Sequence, residues 1–277
     1  MNTPEVDPLA ATEWLRGRLR DTGGSRPDLL AASGLLGITV PAAFGGPACS
    51  VVTLTEVLAG LAAADRDLAT LLHGHYLFLR ALTEQGVRDQ QEYFFAEARA
   101  GACFGGTGPG FGPPASGATV PAITLARWRN GVYRLDGESF CGPGVLRAGW
   151  LVVRAVLVDE LAESTPEPDE VFAVIRHDEL GVTHDGPGAD GGLVWLDGVR
   201  VAAGCVVPYS TLFDRPTTYE ARRLVTAAAL DGLPPEELRP PALAVDQAEA
   251  GLDTVENALG RVTAASRVPL AERYAGM

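Results

Sequence analysis

The chain contains no lysine; all 22 of its basic residues are arginine. That excludes chemistry that needs a Schiff-base lysine or a phosphate-loop lysine. Positive charge is scarce as well, since 35 acidic residues leave a net charge of −13. A surface of that sign repels phosphate, which argues against nucleic acid and against an anionic membrane as partners. Cysteine is limited to Cys49, Cys103, Cys141 and Cys205, far apart and without a CxxC pair. The four histidines are equally scattered, so no metal site is expected, and the thiols are expected to be reduced. Long apolar runs are missing too. The longest, Trp150 to Val158, is interrupted by Arg154, too short to span a bilayer. The first residues, MNTPEVDPLAATEWL, carry neither a basic flank nor an apolar signal core, which leads us to expect a cytoplasmic protein.

What is present is enough for a sizeable core. Hydrophobic residues make up 47% of the 277 positions and charged residues 21%, a globular balance with room for one large or two ordinary domains. Up to about residue 100 the pattern is helical. Val51, Leu54, Val57, Leu58 and Leu61 recur at helical spacing, and Asp65 or Asp67 is placed to cap the next helix. From Gly101 the segments shorten, become β-rich and are bounded by glycine, proline and aspartate, with Asn130-Gly131 as a hairpin turn. After Pro208 two helices return, one over about Thr217 to Leu230 and one carrying Leu252, Val255, Leu259 and Val262 on a single face. Pro234, Pro235, Pro240 and Pro241 between them read as a stiff linker. The expected class is α+β: a helical N-terminal domain over 1–100, a central β-barrel or sandwich domain over 101–212, and a short helical tail over 213–277. Two helices cannot close a four-helix bundle alone, so the tail needs the rest of the chain or a second copy to pack on.

Four segments stand out in order: GLLGITVPAAFGG, then TGPGFG from Thr107, then LDGESFCGPG ending at Gly144, then LVWLDGVRVAAGCVVP. Together they resemble the acyl-CoA dehydrogenase superfamily, and LLHGHY, ending at Tyr76, resembles its flavin-dependent monooxygenase branch, typified by dibenzothiophene monooxygenase. The resemblance covers roughly residues 30–210. It implies FAD or FMN as cofactor, held by a wall of Phe104, Thr107, Gly108, Phe140, Cys141 and Pro143, and a histidine in the first domain facing the reactive flavin carbon, here His75. It also implies a C-terminal four-helix bundle about twice the length of this tail. The chain departs from the family at two wall positions. Gly108 replaces an acidic residue, and Pro143 replaces a hydroxyl residue while offering neither hydroxyl nor backbone N–H to the flavin edge.

The residues themselves set limits on each role. His75 titrates near neutrality and is suited to acid/base work, against the alternative of a packed histidine. In a helix His73 and His75 lie about 200° apart and cannot share a metal. Thr107 is either a ligand for flavin or substrate oxygen or a turn hydroxyl bound to its own backbone. Cys103 and Cys141 read as small buried residues. The glycine-rich run 105–112 lacks the lysine and the strand-to-helix context of a phosphate loop. A scaffold with an altered flavin edge and a retained histidine leads to the first expectation, a small-molecule enzyme eliminating, isomerising or cyclising an acyl or polyketide-like substrate by acid/base chemistry. The alternatives are an FAD- or FMN-dependent dehydrogenase or monooxygenase completed by a homodimer or a partner chain, and a non-catalytic binding subunit.

Overall fold

The computed structural model describes residues 6–21, 26–107, 123–129, 131–142, 144–158, 170–185, 191–209 and 216–266. Five helices come first: α1 Pro8–Asp21, α2 Arg26–Ser33, α3 Val51–Ala62, α4 Arg66–Gln85 and α5 Arg88–Arg99. Their starts follow from local chemistry. The Ser50 hydroxyl accepts from Thr53 N–H at 3.2 Å ahead of α3, and the Asp65 carboxylate accepts from Leu68 N–H at 3.1 Å ahead of α4. Of the two aspartates expected to cap α4, Asp65 takes that position. Helix α4 is central. Leu68, Leu72, Phe78, Leu79 and Leu82 are buried on several of its faces, and it packs on α3, α5 and the first strand.

Among the described residues the β part is one eight-stranded sheet. Its strands are β1 Phe104–Thr107, β2 Thr124–Arg129, β3 Val132–Cys141, β4 Trp150–Val158, β5 Glu170–Arg176, β6 Val182–His184, β7 Gly192–Ala202 and β8 Val206–Pro208. The order is β6-β7-β3-β1-β4-β5-β8, with β2 also lying between β3 and β4. Strands β1 and β2 thus share one ribbon. β1 runs beside the first half of β4 (Phe104↔Trp150 to Thr107↔Val153) and β2 beside its second half (Thr124↔Val156 to Ala126↔Val158). The expected mixed α+β architecture is what the chain adopts, and its β part resolves into this sheet rather than a closed barrel among the described residues. Gln90 of α5 stitches helices to sheet, its amide donating to the carbonyls of Gly204 (3.2 Å) and Val206 (2.8 Å).

The last part is α6 Pro216–Thr226, a π-helical turn over Ala227–Asp231 and α7 Pro235–Ser266. Pro240 and Pro241 lie inside α7, so the proline stretch is helix, not the linker its composition suggests. A proline φ is helix-compatible; the cost is two missing N–H donors, and packing of α7 on α3 and α6 outweighs it. Both tail helices pack on α3 within the same chain, while Leu252, Val255, Leu259 and Val262 lie outside the residues whose side chains are described. No helix among the described residues is long and apolar enough to cross a membrane.

Candidate functional site

Helix α4 carries two histidines on opposite sides, and their surroundings differ. His75 is fully buried. Phe104 N–H donates to its Nδ1 at 3.2 Å, and its Nε2 lies 2.8 Å from the Leu36 carbonyl. An amide can only donate, so Nδ1 is the acceptor and the ring proton sits on Nε2, donated to Leu36. Burial pulls the pKa down to about 4, with the Leu36 hydrogen bond opposing. The ring also stacks on Phe104, centroids 5.7 Å apart. His75 is a neutral cross-brace between the turn after α2 and the start of β1. The packed-histidine alternative describes its place in the fold.

His73 faces the other way, into a cavity of about 360 Å³ bounded by α4, α6, α7 and the loop leading into α3. Only 2% of it is exposed. Its Nε2 is 2.9 Å from Thr226 Oγ1, while Nδ1 is buried with no hydrogen-bond partner. Burial first, and the Arg222 guanidinium second, lower its pKa to about 4, so the ring is neutral at pH 7. A second buried polar atom without a partner, Thr39 Oγ1, belongs to a residue lining the same cavity. Most of the remaining wall is apolar, with Val51, Leu54, Leu77 and Val225. Tyr76 also lines it, but its hydroxyl donates to the Leu35 carbonyl at 2.8 Å.

Arg80 and the carboxylates of the polar wall are paired with neighbours, and Arg222 also lines the cavity. Arg80 binds both Glu84 and Glu249 and donates to Thr218 Oγ1 at 3.1 Å, and Thr218 in turn donates to Glu84 at 2.6 Å. Asp246 of α7 accepts from Val51 N–H (2.7 Å) and Val52 N–H (3.1 Å), satisfying the open N-terminus of α3. Its charge, with burial as the larger cause, pushes the Cys49 thiol up to about 12. The cavity suits a mainly apolar ligand with one hydrogen-bonding group at the His73 end.

The sheet brings together part of the expected flavin wall. Thr107 and Cys141 are register partners of β1 and β3. Thr107 is 1% exposed and its Oγ1 has no oxygen or nitrogen partner; the thiol of Cys141 is the polar group beside it, a weak one. Burial, aided by Asp185, pushes that thiol up to about 12, and burial does the same to Cys103, so neither is a nucleophile at neutral pH. Phe104 is in the core between His75 and Trp150. Phe140 alternates to the opposite face of β3 from Cys141, exposed beside Leu193 of β7. Gly108 and Pro143 lie outside the described residues. So Thr107 and Cys141 meet, while Phe104 and Phe140 point away from them. His73 is the residue that motif matching passed over. The signal was available in the spacing of His73, Tyr76, Leu77, Arg80 and Thr83, which all line the cavity from one helix face.

Residues 5–102 match the family described as acyl-CoA dehydrogenase, N-terminal domain. No curated protein matches the chain in sequence. Among solved structures, the dibenzothiophene monooxygenase TdsC from Paenibacillus sp. A11-2, in its complex with FMN and indole, is similar at TM-score 0.64 and 20% identity, covering 81% of this chain and 60% of its own. Butyryl-CoA dehydrogenase from Megasphaera elsdenii is similar at TM-score 0.62 and 18% identity, covering 84% and 66%. Methanesulfinate monooxygenase MsuC from Pseudomonas fluorescens follows at TM-score 0.59 and 19% identity, covering 84% and 60%. The chain thus spans between 60% and 66% of the length of these three structures.

Proposed function

We propose, on the premise that the chain has the acyl-CoA dehydrogenase fold and that residues 5–102 belong to that family's N-terminal domain, that it is a small-molecule enzyme working by acid/base chemistry in the cavity beside α4. The reaction class is elimination, isomerisation or cyclisation of an acyl or polyketide-like substrate, with His73 as the proton-transfer group. One observation carries this reading. His73, a neutral imidazole whose Nδ1 is buried without a partner, lines an otherwise mainly apolar cavity. An unpartnered buried nitrogen costs on the order of 1–3 kcal/mol, and a ligand hydrogen bond would recover that. His75, expected as the catalytic histidine, is assigned the bracing role, because both of its nitrogens are held by backbone.

The test is solvent exchange at carbon. A panel of acyl thioesters and β-keto esters is incubated with the protein in D₂O, and deuterium uptake next to the carbonyl is read by NMR. Uptake is expected with wild type and is expected to fall about a hundredfold or more in His73→Gln. Undiminished uptake in that variant removes His73 from the site.

A second reading is favoured by Thr107. Its buried hydroxyl, with only the weak thiol of Cys141 beside it, fits a hydrogen bond to a flavin ring edge, and TdsC is an FMN-bound structure of this fold. A bound flavin would supply two-electron redox chemistry, and a homodimer or partner chain would complete the site. Thr107 would position the ring, while Phe104 and Phe140, turned elsewhere, would not form its wall. A visible flavin spectrum after adding FMN or FAD, lost in Thr107→Val, would favour this second reading over the first.

A further inference from the structure

His73 sits between two spaces. One is the cavity that His73 lines, its Nδ1 buried without a hydrogen-bond partner. The other is an open groove of about 530 Å³, lined by Thr226, Tyr219, Asp231 and Leu233 among others, and Arg222 lines both spaces. Thr226 lines the groove and not the cavity, His73 lines the cavity and not the groove, and a 2.9 Å hydrogen bond joins them. Thr226 is the last residue of α6, where the helix changes to the π turn over Ala227–Asp231. Wide turns of that kind interrupt the regular ladder and recur at functional sites.

We propose that Thr226 is a proton relay that connects the buried His73 to solvent in the groove. The inference rests on the reading of His73 as the proton-transfer group. In the forward direction a substrate C–H or O–H breaks as a proton binds Nδ1. The Nε2–H proton passes to Thr226 Oγ1, and the hydroxyl proton of Thr226 leaves to a groove water. One proton enters and one leaves; the substrate keeps the electron pair, and the imidazole ends neutral with its tautomer switched. Run backward, the same chain delivers a proton to the substrate. The relay answers a physical problem. A ring buried beside the Arg222 guanidinium holds a second proton poorly, so accepting one on Nδ1 requires release from Nε2. Thr226 is a positioning and relay residue; it does not line the cavity.

The test uses the full-length chain labelled with ¹⁵N-histidine, without substrate. The His73 ring signal is assigned by its loss in His73→Gln, and the exchange of its ring proton with D₂O is measured in wild type, Thr226→Val, Thr226→Cys and Thr226→Ser. Valine keeps the shape and removes the hydroxyl. Exchange is expected to slow about tenfold or more in the valine and cysteine variants and to return in the serine variant. A merely structural threonine predicts the opposite sign, because loosened packing admits water and speeds exchange. Unchanged or faster exchange in Thr226→Val overturns the relay, and Thr226→Cys decides the matter if the valine variant does not fold. That result would leave the cavity reading intact, since only the carbon-exchange experiment with His73→Gln bears on it.

Discussion

At the residue scale the two histidines of α4 show how one side-chain type takes opposite roles two positions apart. Replacing His75 by alanine strips hydrogen bonds from the Phe104 N–H and the Leu36 carbonyl, both buried, and opens a cavity against Phe104. Each orphaned group costs about 1–3 kcal/mol, so His75→Ala is expected to lose about 3–5 kcal/mol of stability by urea titration. His73→Gln keeps a side-chain amide within reach of Thr226 and is expected to lose about 1 kcal/mol or less. The contrast separates brace from reactive group: the first variant is damaged in stability, the second in chemistry. Equal losses would contradict the assignment. Motif matching by itself singled out His75, because family position speaks for a location in the chain and not for which side of the helix a ring faces.

At the element scale the tail helices are the informative case. Their proline content reads as a break, yet α7 continues through Pro240 and Pro241. What holds it is tertiary. Asp246 satisfies the first amides of α3, Glu249 binds Arg80, and Arg239 reaches Glu56 at 2.7 Å. Local propensity is a weak prior against contacts of that number. The penalty of the proline remains in the folded state, so relieving it raises stability. Pro240 is exposed, and Pro240→Ala restores an N–H donor toward the Glu236 carbonyl. A gain of about 1–3 kcal/mol is expected in thermal or urea unfolding; a loss would mean that α7 needs the proline to bend onto α3. The loop before α3 shows the reverse relation. Gly46 approaches the backbone of Val40 so closely that a Cβ would lie 2.1 Å from its carbonyl oxygen. That close approach is the reason the turn segment Gly37 to Gly46 is legible as a loop from its glycines.

At the scale of the whole molecule, both buried histidines link stability to pH. Each has a folded-state pKa near 4, against an ordinary value of 6.5. Above 6.5 both states leave the ring neutral and the linkage is silent. As pH falls below 6.5 the unfolded chain takes up protons that the folded chain refuses, so stability declines until about pH 4 and then levels. The full shift corresponds to up to about 3 kcal/mol per histidine. Unfolding free energies measured from pH 7.5 to 4.5 are expected to fall across this window, with the slope reduced in His73→Gln. A wild-type profile that stays flat would show that the rings are not held neutral.

What the sequence determined by itself is the α+β class, the order of helical and strand segments, an aspartate cap ahead of α4 and the likeness to the acyl-CoA dehydrogenase superfamily. These depend on local rules: periodicity, turn residues and motifs that persist along the chain. Only the tertiary structure decided which histidine faces a cavity, that Thr107 lies beside Cys141 with only that weak thiol next to its hydroxyl, that Phe140 turns to the opposite face of β3, and that α7 runs through its prolines. Those outcomes depend on pairings between residues far apart in sequence, such as Thr226 with His73 and Asp246 with Val51, which no local pattern encodes. The physical reason is the same throughout. A polar atom's role is set by whether packing leaves it a partner, and packing is a property of the assembled chain.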